Sequence, residues 1–312
     1  MRKRLLLYCP YVGHYVSHFE IEQEGVILAR EWDAGEYEKL SAPQTRWGIE
    51  VLERTDVRGD EAVIDAGCGT GRVTELLLAK LPEGSVLAID GSRAMVEAAR
   101  RRFAGEPRVR VERQDLLSLE VEEHVDLIFS TATFHWIWDH DRLFEKLAGA
   151  LKPGGRLVAQ CGGEGNIFRA TRATKETMEE DRFKDFFVGW QDDKYYADAR
   201  TTAKRLEASG FEEVETWLHD EVAAFDSVDE LARFLGTVVL GGHLEKLPEE
   251  VRGSFAARVA EKVTAVDGGP ALDYVRLNIM ARRSALYRGE EGTNITSSAA
   301  EPPEDAETED RA

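Results

Sequence analysis

The run Val63-Ile64-Asp65-Ala66-Gly67-Cys68-Gly69-Thr70-Gly71 sets an apolar segment, an acid and three alternate glycines in immediate succession. Glycine admits positive φ and lets a second molecule approach the backbone, so this run predicts a strand and then a bent loop pressed against a ligand. The helix expected from Arg72 through Leu81 offers free N–H groups at its start. A dinucleotide site asks for G-x-G-x-x-G, and here its third glycine position holds Arg72. Asp65 ahead of the loop would repel a pyrophosphate and suits a ligand that carries an ammonium and a sulfonium.

The features downstream repeat this strand-then-acid pattern. Ser85-Val86-Leu87-Ala88-Ile89-Asp90 predicts a second strand whose terminal carboxylate can accept both hydroxyls of a ribose. Ser92 is an expected N-cap for the next helix, and Met95 a soft apolar group beside the same pocket. A third strand runs from Val109 to Asp115, again ending in an acid, and a fourth from Val125 to Ser130. Lys152-Pro153-Gly154-Gly155 turns the chain into a fifth, Arg156 to Gln160.

In this order the marks resemble the class I S-adenosylmethionine-dependent methyltransferases, whose pattern is D-x-G-x-G-x-G, an acid after strand two, an acid after strand three, and K-P-G-G before strand five. The resemblance implies that Gly67, Gly69 and Gly71 form the cofactor loop with Asp65 near its methionine end. It further implies that Asp90 binds the ribose, Met95 packs on the adenine and Asp115 binds its amine, with Ser130 at the same site. Trp32-Asp33-Ala34-Gly35-Glu36-Tyr37 looks like the lid helix of the small-molecule branch, with Tyr37 reaching the cofactor carboxylate. The implied fold class is α/β, a Rossmann-like doubly wound seven-stranded sheet with the last strand antiparallel. Cys68 reads as a small filler in the loop rather than a nucleophile.

Beyond strand five, residues 199–209 predict a helix, Phe211 to about Val222 a sixth strand, Asp226 to Gly241 and Pro248 to Val266 helices, and Leu272 to Arg282 the last strand. Helices between strands six and seven, about 223–270, would form a cap above the strand ends, as in the trans-aconitate methyltransferase-like branch. Ligands of open α/β sheets lie outside the carboxyl ends of the strands. The segment Ser130 to Trp138 and the cap should therefore meet the methyl acceptor, with Trp136, His243, Tyr274 and Arg276 as candidate contacts. His135 is the candidate general base, its ordinary pKa lying near 6.5. A carboxylate acceptor needs no base; a phenol, amine or carbon acid does. Arg276 could anchor such a carboxylate, or could instead pair with Asp273 or Glu245.

The chain of 312 residues carries a net charge of −19, which argues against an unassisted nucleic-acid surface. Three scattered cysteines do not form a disulfide framework or a zinc site, and no metal is expected. No apolar run approaches the roughly 18 residues of a membrane span, and a cytoplasmic enzyme is expected. The expected organisation is an N-terminal extension over 1–30, a methyltransferase domain over 31–283 and an acidic tail over 284–312. Eight acids against Arg311 after Gly289 make that tail a candidate for disorder. Arg2-Lys3-Arg4 and the five apolar residues after it imitate a signal peptide, but Pro10 and His14 break the run. A start near Val26 or Leu28 is one expectation. The expected activity is O-methylation of a carboxylate or hydroxyl on a small molecule. A cofactor-binding regulator or assembly protein is the competing class, and a dehydrogenase a more distant one.

Overall fold

The computed structural model describes residues 42–266 and 268–285, with the short segments 7–8, 15–16 and 34–35. Of the expected N-terminal extension these include Leu7–Tyr8 and Tyr15–Val16, paired antiparallel. Tyr37 and the acidic tail from 286 onward lie outside the described residues.

The chain's apolar runs become one seven-stranded sheet. Its strands are β1 (Ala62–Ala66), β2 (Ser85–Asp90), β3 (Val109–Arg113), β4 (Val125–Thr131), β5 (Leu151–Gly162), β6 (Phe211–Ala224) and β7 (Ala271–Arg283). Their order across the sheet is β3-β2-β1-β4-β5-β7-β6. The first five are parallel, and β7 runs antiparallel to both β5 and β6. β1 and β4 are buried almost throughout, because helices cover both faces of the parallel part. One face packs Ile64, Ile128, Leu157 and Ile279 against Phe144 and Leu147 of α4 (His140–Ala150) and Leu206 of α6 (Ala199–Ala208). The other packs Val63, Leu127 and Val158 under α1 (Ala42–Glu53) and α2 (Arg72–Ala79), through Val51 and Leu77. Each such side chain contributes roughly 1.5–3 kcal/mol by leaving water.

Strand five is longer than its sequence suggests. Lys152-Pro153-Gly154-Gly155 does not precede β5 but is absorbed into it, and the pairing with β4 shifts register between Val125 and Leu127. Below this bulge Glu61 is buried, accepting the Arg58 N–H at 2.6 Å and pairing with Arg156, which braces the end of the sheet opposite the glycine loop.

The cap is built from two insertions, where the sequence predicts one. Between β6 and β7 lie α7 (Val228–Phe234), a π-helical turn over Leu235–Val239, α8 (Gly241–Glu245) and α9 (Glu249–Thr264). Between β5 and β6 come α5 (Phe168–Met178) and a short turn over Lys184–Phe187, and both join the same apolar core. Phe183 and Phe187 from the first insertion meet Phe255 from the second, with ring centroids 5.0 and 5.4 Å apart. α5 escapes sequence reading because its buried stripe is Ala170, Ala173, Thr174 and Thr177. The two threonine hydroxyls are satisfied by the carbonyls one turn back, each at 2.7 Å, so a polar-looking helix buries a face.

Candidate active site

The order of strands reverses between β1 and β4, and a cavity of about 970 Å³ opens at their carboxyl ends. Gly67 and Gly69 line it, together with Asp90 at the end of β2, Met95 on α3 (Arg93–Arg102) and Asp115 after β3. The loop after β1 is tied to its neighbours by the backbone: the Gly67 and Cys68 N–H groups donate to Ile89 O at 2.8 and 2.9 Å. Asp90 accepts the Gly69 N–H at 2.9 Å through Oδ2 and the Ser92 N–H at 2.8 Å through Oδ1. It thus fixes the shape of the loop while facing the cavity. Asp115 likewise caps a short turn, accepting the Leu117 N–H at 2.9 Å.

Three expected site residues sit behind the loop rather than in the cavity lining. Asp65 is 2% exposed, and its Oδ2 accepts the Thr74 hydroxyl at 2.6 Å, so it latches α2 to β1. Gly71 begins α2 at φ +85, where a Cβ would meet the Phe103 ring at 2.5 Å. Ser130 is buried and donates to Ala66 O at 2.6 Å, which joins β4 to β1. All three stand at the loop, but they shape it from below. Cys68 is buried with its thiol pushed well up by burial, in keeping with a filler.

Burial pushes the Asp65 carboxyl up to about 7, with the nearby charge of Asp90 acting in the same direction and the Thr74 hydrogen bond opposing it. A raised carboxyl pKa means that the folded state keeps a proton which the unfolded state, at 3.8, gives up. The stability from Asp65 is therefore complete below the unfolded value and is lost as pH rises towards the folded one. Asp65→Asn is expected to raise the melting temperature of the ligand-free protein, with a gain over wild type that grows by roughly 2 kcal/mol between about pH 5 and pH 8. Thermal melts across that range test this, and a gain that shrinks with pH contradicts it.

The opposite half of the cavity is made by the segment after β4, the first cap insertion, the π-helical turn and β7. His135 and Trp136 stand on a short turn after β4. Ala132, at φ +56, and Ile167, at φ +46, both line the cavity, a strained backbone that for β-branched Ile167 is held by its N–H donating to Asp273 O at 2.8 Å. Tyr274 and Arg276, two apart on β7, point to the same side as expected. Arg276 is 3% exposed; its guanidinium lies 4.6 Å from the Trp47 ring centroid and 5.9 Å from that of Tyr274, and Nε donates to Gln160 Oε1 at 3.3 Å. Gln160 in turn donates to Asn278 at 2.8 Å, so a polar ladder on β5 and β7 positions the guanidinium. Asp273, one of its expected ion-pair partners, accepts the Arg169 N–H instead.

His243 is placed differently from expectation. It is buried in the cap's aromatic core, 4.0 Å from the Trp190 ring centroid, and is not among the cavity-lining residues. The residues that take its place are Asn166, Lys194 and Tyr196, from the insertion after β5. That segment is stitched to the site by the Tyr195 N–H donating to His135 O at 2.8 Å and by a bridge between Gly163 and Ala197. Its lysine and tyrosines carry no motif, so spacing gave no route to them.

The general-base expectation for His135 meets a ring that is 8% exposed and whose Nδ1 accepts the Gly162 N–H at 3.3 Å. Its one remaining proton is therefore on Nε2, which makes it a donor. Burial holds its pKa well below the ordinary value, and the Arg276, Lys194 and His140 charges push the same way, so the ring is neutral near pH 7. His135→Gln preserves an acceptor for Gly162 and a donor for the cavity. It is expected to keep turnover within about tenfold of wild type, with a flat rate profile between about pH 6.5 and 8.5, whereas loss of a true base costs about 100-fold or more.

The donor set fits S-adenosylmethionine. A Cβ on Gly69 would meet no atom of the described residues within 4 Å, so among them the loop backbone is open to a ligand, and two carboxylates and Met95 stand where a nucleoside is bound across such sheets. Comparison with known proteins agrees. Residues 63–155 match a family model described as a methyltransferase domain. The trans-aconitate 2-methyltransferase of Methylobacterium nodulans is 31% identical over 275 residues, which cover 81% of this chain and 99% of that protein. That of Rhizobium meliloti is 31% identical over 262 residues, with the same coverage. Among solved structures, Haemonchus contortus phosphoethanolamine N-methyltransferase 2, in complex with phosphomonomethylethanolamine and S-adenosylhomocysteine, shares the fold at a TM-score of 0.54 and 18% identity. The match covers 80% of this chain and 57% of that one. The chain belongs to the class I S-adenosylmethionine-dependent methyltransferases that act on small molecules. It is a methyltransferase, its cofactor is S-adenosylmethionine and its methyl acceptor is a small molecule. Among the described residues no helix is long and apolar enough to cross a membrane, and no cluster of three metal-ligating side chains occurs.

Proposed function

We propose that this methyltransferase esterifies a carboxylate oxygen of a small organic acid. The observation that carries this reading is the buried guanidinium of Arg276 in the wall of the cofactor cavity, held on the polar ladder of Gln160 and Asn278. A guanidinium that lines a ligand cavity can fork onto a carboxylate, whose planar geometry its donors suit. The names of the relatives, trans-aconitate 2-methyltransferase, support the same acceptor class.

In this reading Gly67 and Gly69 present backbone to the cofactor, Asp90 takes the ribose hydroxyls, and Asp115 and Met95 hold the adenine. Asp65, Gly71 and Ser130 keep the loop in shape from behind. Bound there, S-adenosylmethionine supplies an electrophilic methyl carbon, which the acceptor oxygen takes as the carbon–sulfur bond breaks and its electron pair stays on sulfur. Arg276 orients the ionised acid, and the aromatic walls exclude water; orientation of this kind is worth up to about 7–11 kcal/mol. His135 offers a neutral N–H to the second oxygen or to the acceptor's body. No proton has to leave a carboxylate at neutral pH, which accords with a site whose histidine has its Nδ1 lone pair engaged. A hydroxyl acceptor would require a base, a role for which His135 Nδ1 is already engaged. The test is a panel of carboxylic acids, phenols, alcohols and amines incubated with methyl-labelled cofactor. Label should enter acids alone, and label confined to phenols, alcohols or amines would overturn the reading.

A further inference from the structure

The sheet face that α1 covers is apolar at Val63, Leu127 and Val158. Two residues on from Val158 along β5 the same face carries Gln160. Gln160 stands opposite Asn278 on β7, and Asn278 opposite Trp217 on β6, so the three side chains form one row across the sheet. Gln160 and Asn278 are 2% and 1% exposed. Burying an amide costs stability unless its polar atoms are hydrogen-bonded, and an apolar row would have continued the core without that cost. What the row does instead follows from the direction of its hydrogen bonds.

An arginine side chain only donates, whereas an amide accepts at one end and donates at the other. Arg54, half-buried just past the end of α1, has its guanidinium 5.4 Å from the Trp217 ring centroid and donates through Nη1 to Asn278 Oδ1. The same oxygen accepts from Gln160 Nε2 at 2.8 Å, and Asn278 Nδ2 donates to Arg276 O at 3.2 Å. Gln160 is thereby left with its own oxygen towards Arg276, whose Nε it accepts at 3.3 Å. Turning over the Asn278 amide would set its NH2 against Arg54 and against the NH2 of Gln160; turning over Gln160 as well would set that NH2 against the Arg276 Nε–H. Each flip places donor against donor, so Arg54 fixes the direction of a ladder that ends at the Arg276 guanidinium. Trp47, seven residues earlier and on the same face of α1, meets that guanidinium directly, at 4.6 Å from its ring centroid.

Resting on the reading of Arg276 as the anchor of the acceptor's carboxylate, we infer that Arg54 is a positioning residue for the acceptor: through Asn278 and Gln160 it holds the Arg276 guanidinium in the direction a carboxylate needs. Arg54 is not among the residues that line the cavity, so it acts on the acceptor through Arg276. By the same contacts α1 becomes part of the acceptor site as well as a cover for the sheet.

The experiment is a double-mutant cycle on the full chain. The acceptor KM, kcat and S-adenosylmethionine Kd are measured for the wild type, Arg54→Met, Arg276→Met and the two combined, with the acid that serves best in the acceptor panel. Arg54→Met is expected to raise the acceptor KM about tenfold while the cofactor Kd stays within about threefold of wild type, the scale of coupling inside one hydrogen-bond network. In the Arg276→Met background the same substitution is expected to add less than about twofold, because the group it positions is gone. An unchanged acceptor KM in Arg54→Met, a rise of equal size in both backgrounds, or a matching loss of cofactor affinity overturns the inference, since a residue that only holds α1 in place acts without regard to Arg276. Should Arg54→Met fail to fold by circular dichroism, Asn278→Leu removes the middle of the ladder and the same cycle, with the same outcomes, is read on it. Failure to methylate any acid, or an Arg276→Met variant whose acceptor KM is unchanged, takes away the anchor reading itself. A raised KM in Arg276→Met without one in Arg54→Met removes the role of Arg54 alone.

Discussion

Gly67→Ala is expected to reduce affinity for S-adenosylmethionine by at least about 100-fold and to lower the melting temperature of the ligand-free protein. The added Cβ would stand 2.0 Å from Thr133 Oγ1, 2.4 Å from its Cγ2 and 2.6 Å from its Cβ. Rotating Thr133 moves the first two atoms but leaves the third, so either the turn after β4 or the glycine loop has to shift. The residue also holds φ +86, which costs an L side chain roughly 1–2 kcal/mol. Strain and clash together amount to about 3 kcal/mol or more; a free loop that relieves them by shifting has to take them back to present its backbone to the cofactor, a factor of about 100 in affinity. Gly69→Ala is the informative companion. Its Cβ meets no atom of the described residues within 4 Å but the residue holds φ +55, so the protein should lose only the roughly 1–2 kcal/mol of backbone strain while the new methyl intrudes on the ligand. Titration calorimetry and thermal melts of both variants separate the two effects; equal losses of stability would contradict the account of the loop.

Arg276→Met is expected to leave cofactor affinity within about threefold of wild type and to lower kcat/KM for the acid acceptor by about 100-fold. Methionine keeps much of the apolar stem that lies against Trp47 and Tyr274, but it removes the charge and the hydrogen bond to Gln160. Truncating one partner of a buried charged pair costs about 2–5 kcal/mol, which is the source of the magnitude. Arg276→Lys should recover part of the loss, because the charge returns without the planar fork. The kinetic signature is a rise in acceptor KM at unchanged cofactor binding. An unchanged KM for the acid would remove Arg276 from the site and return it to a purely structural role under the cap.

How much of this was legible beforehand depended on whether a residue's role was local. The glycine loop and the strand-end acids were readable because each follows from a short run: a hydrophobic stretch, then an acid or a glycine with a backbone task; the antiparallel direction of the final strand came from the family resemblance alone. The same reading put Asp65 near the ligand, but it could not see that a single hydroxyl on the next helix, that of Thr74, turns the carboxylate inward. Arg276 and Tyr274 were found through strand periodicity. Lys194, Asn166 and Tyr196 were missed because their segment reaches the cavity through long-range stitching, the Tyr195 N–H to His135 O and the Asn166 amide oxygen accepting from the Val275 N–H. His243 was misplaced for the converse reason. On a five-residue helix a polar residue faces wherever packing sends it, and here Trp190, Phe187 and Phe255 surround it. The cap as a whole shows the limit most plainly: its two halves are separated by β6, and only their shared aromatic core makes them one element.

The central claim is that the methyl group is transferred to a carboxylate oxygen, and an isotope measurement addresses it directly. The acid that serves best in the acceptor panel is prepared with heavy oxygen in both carboxylate positions and turned over with the wild-type enzyme. The product is then saponified and the released methanol examined by mass spectrometry. The account predicts alkali-labile product and methanol that carries the heavy oxygen, since the carboxylate oxygen itself forms the new bond. A methyl group that survives alkali, or methanol released with ordinary oxygen, would contradict it.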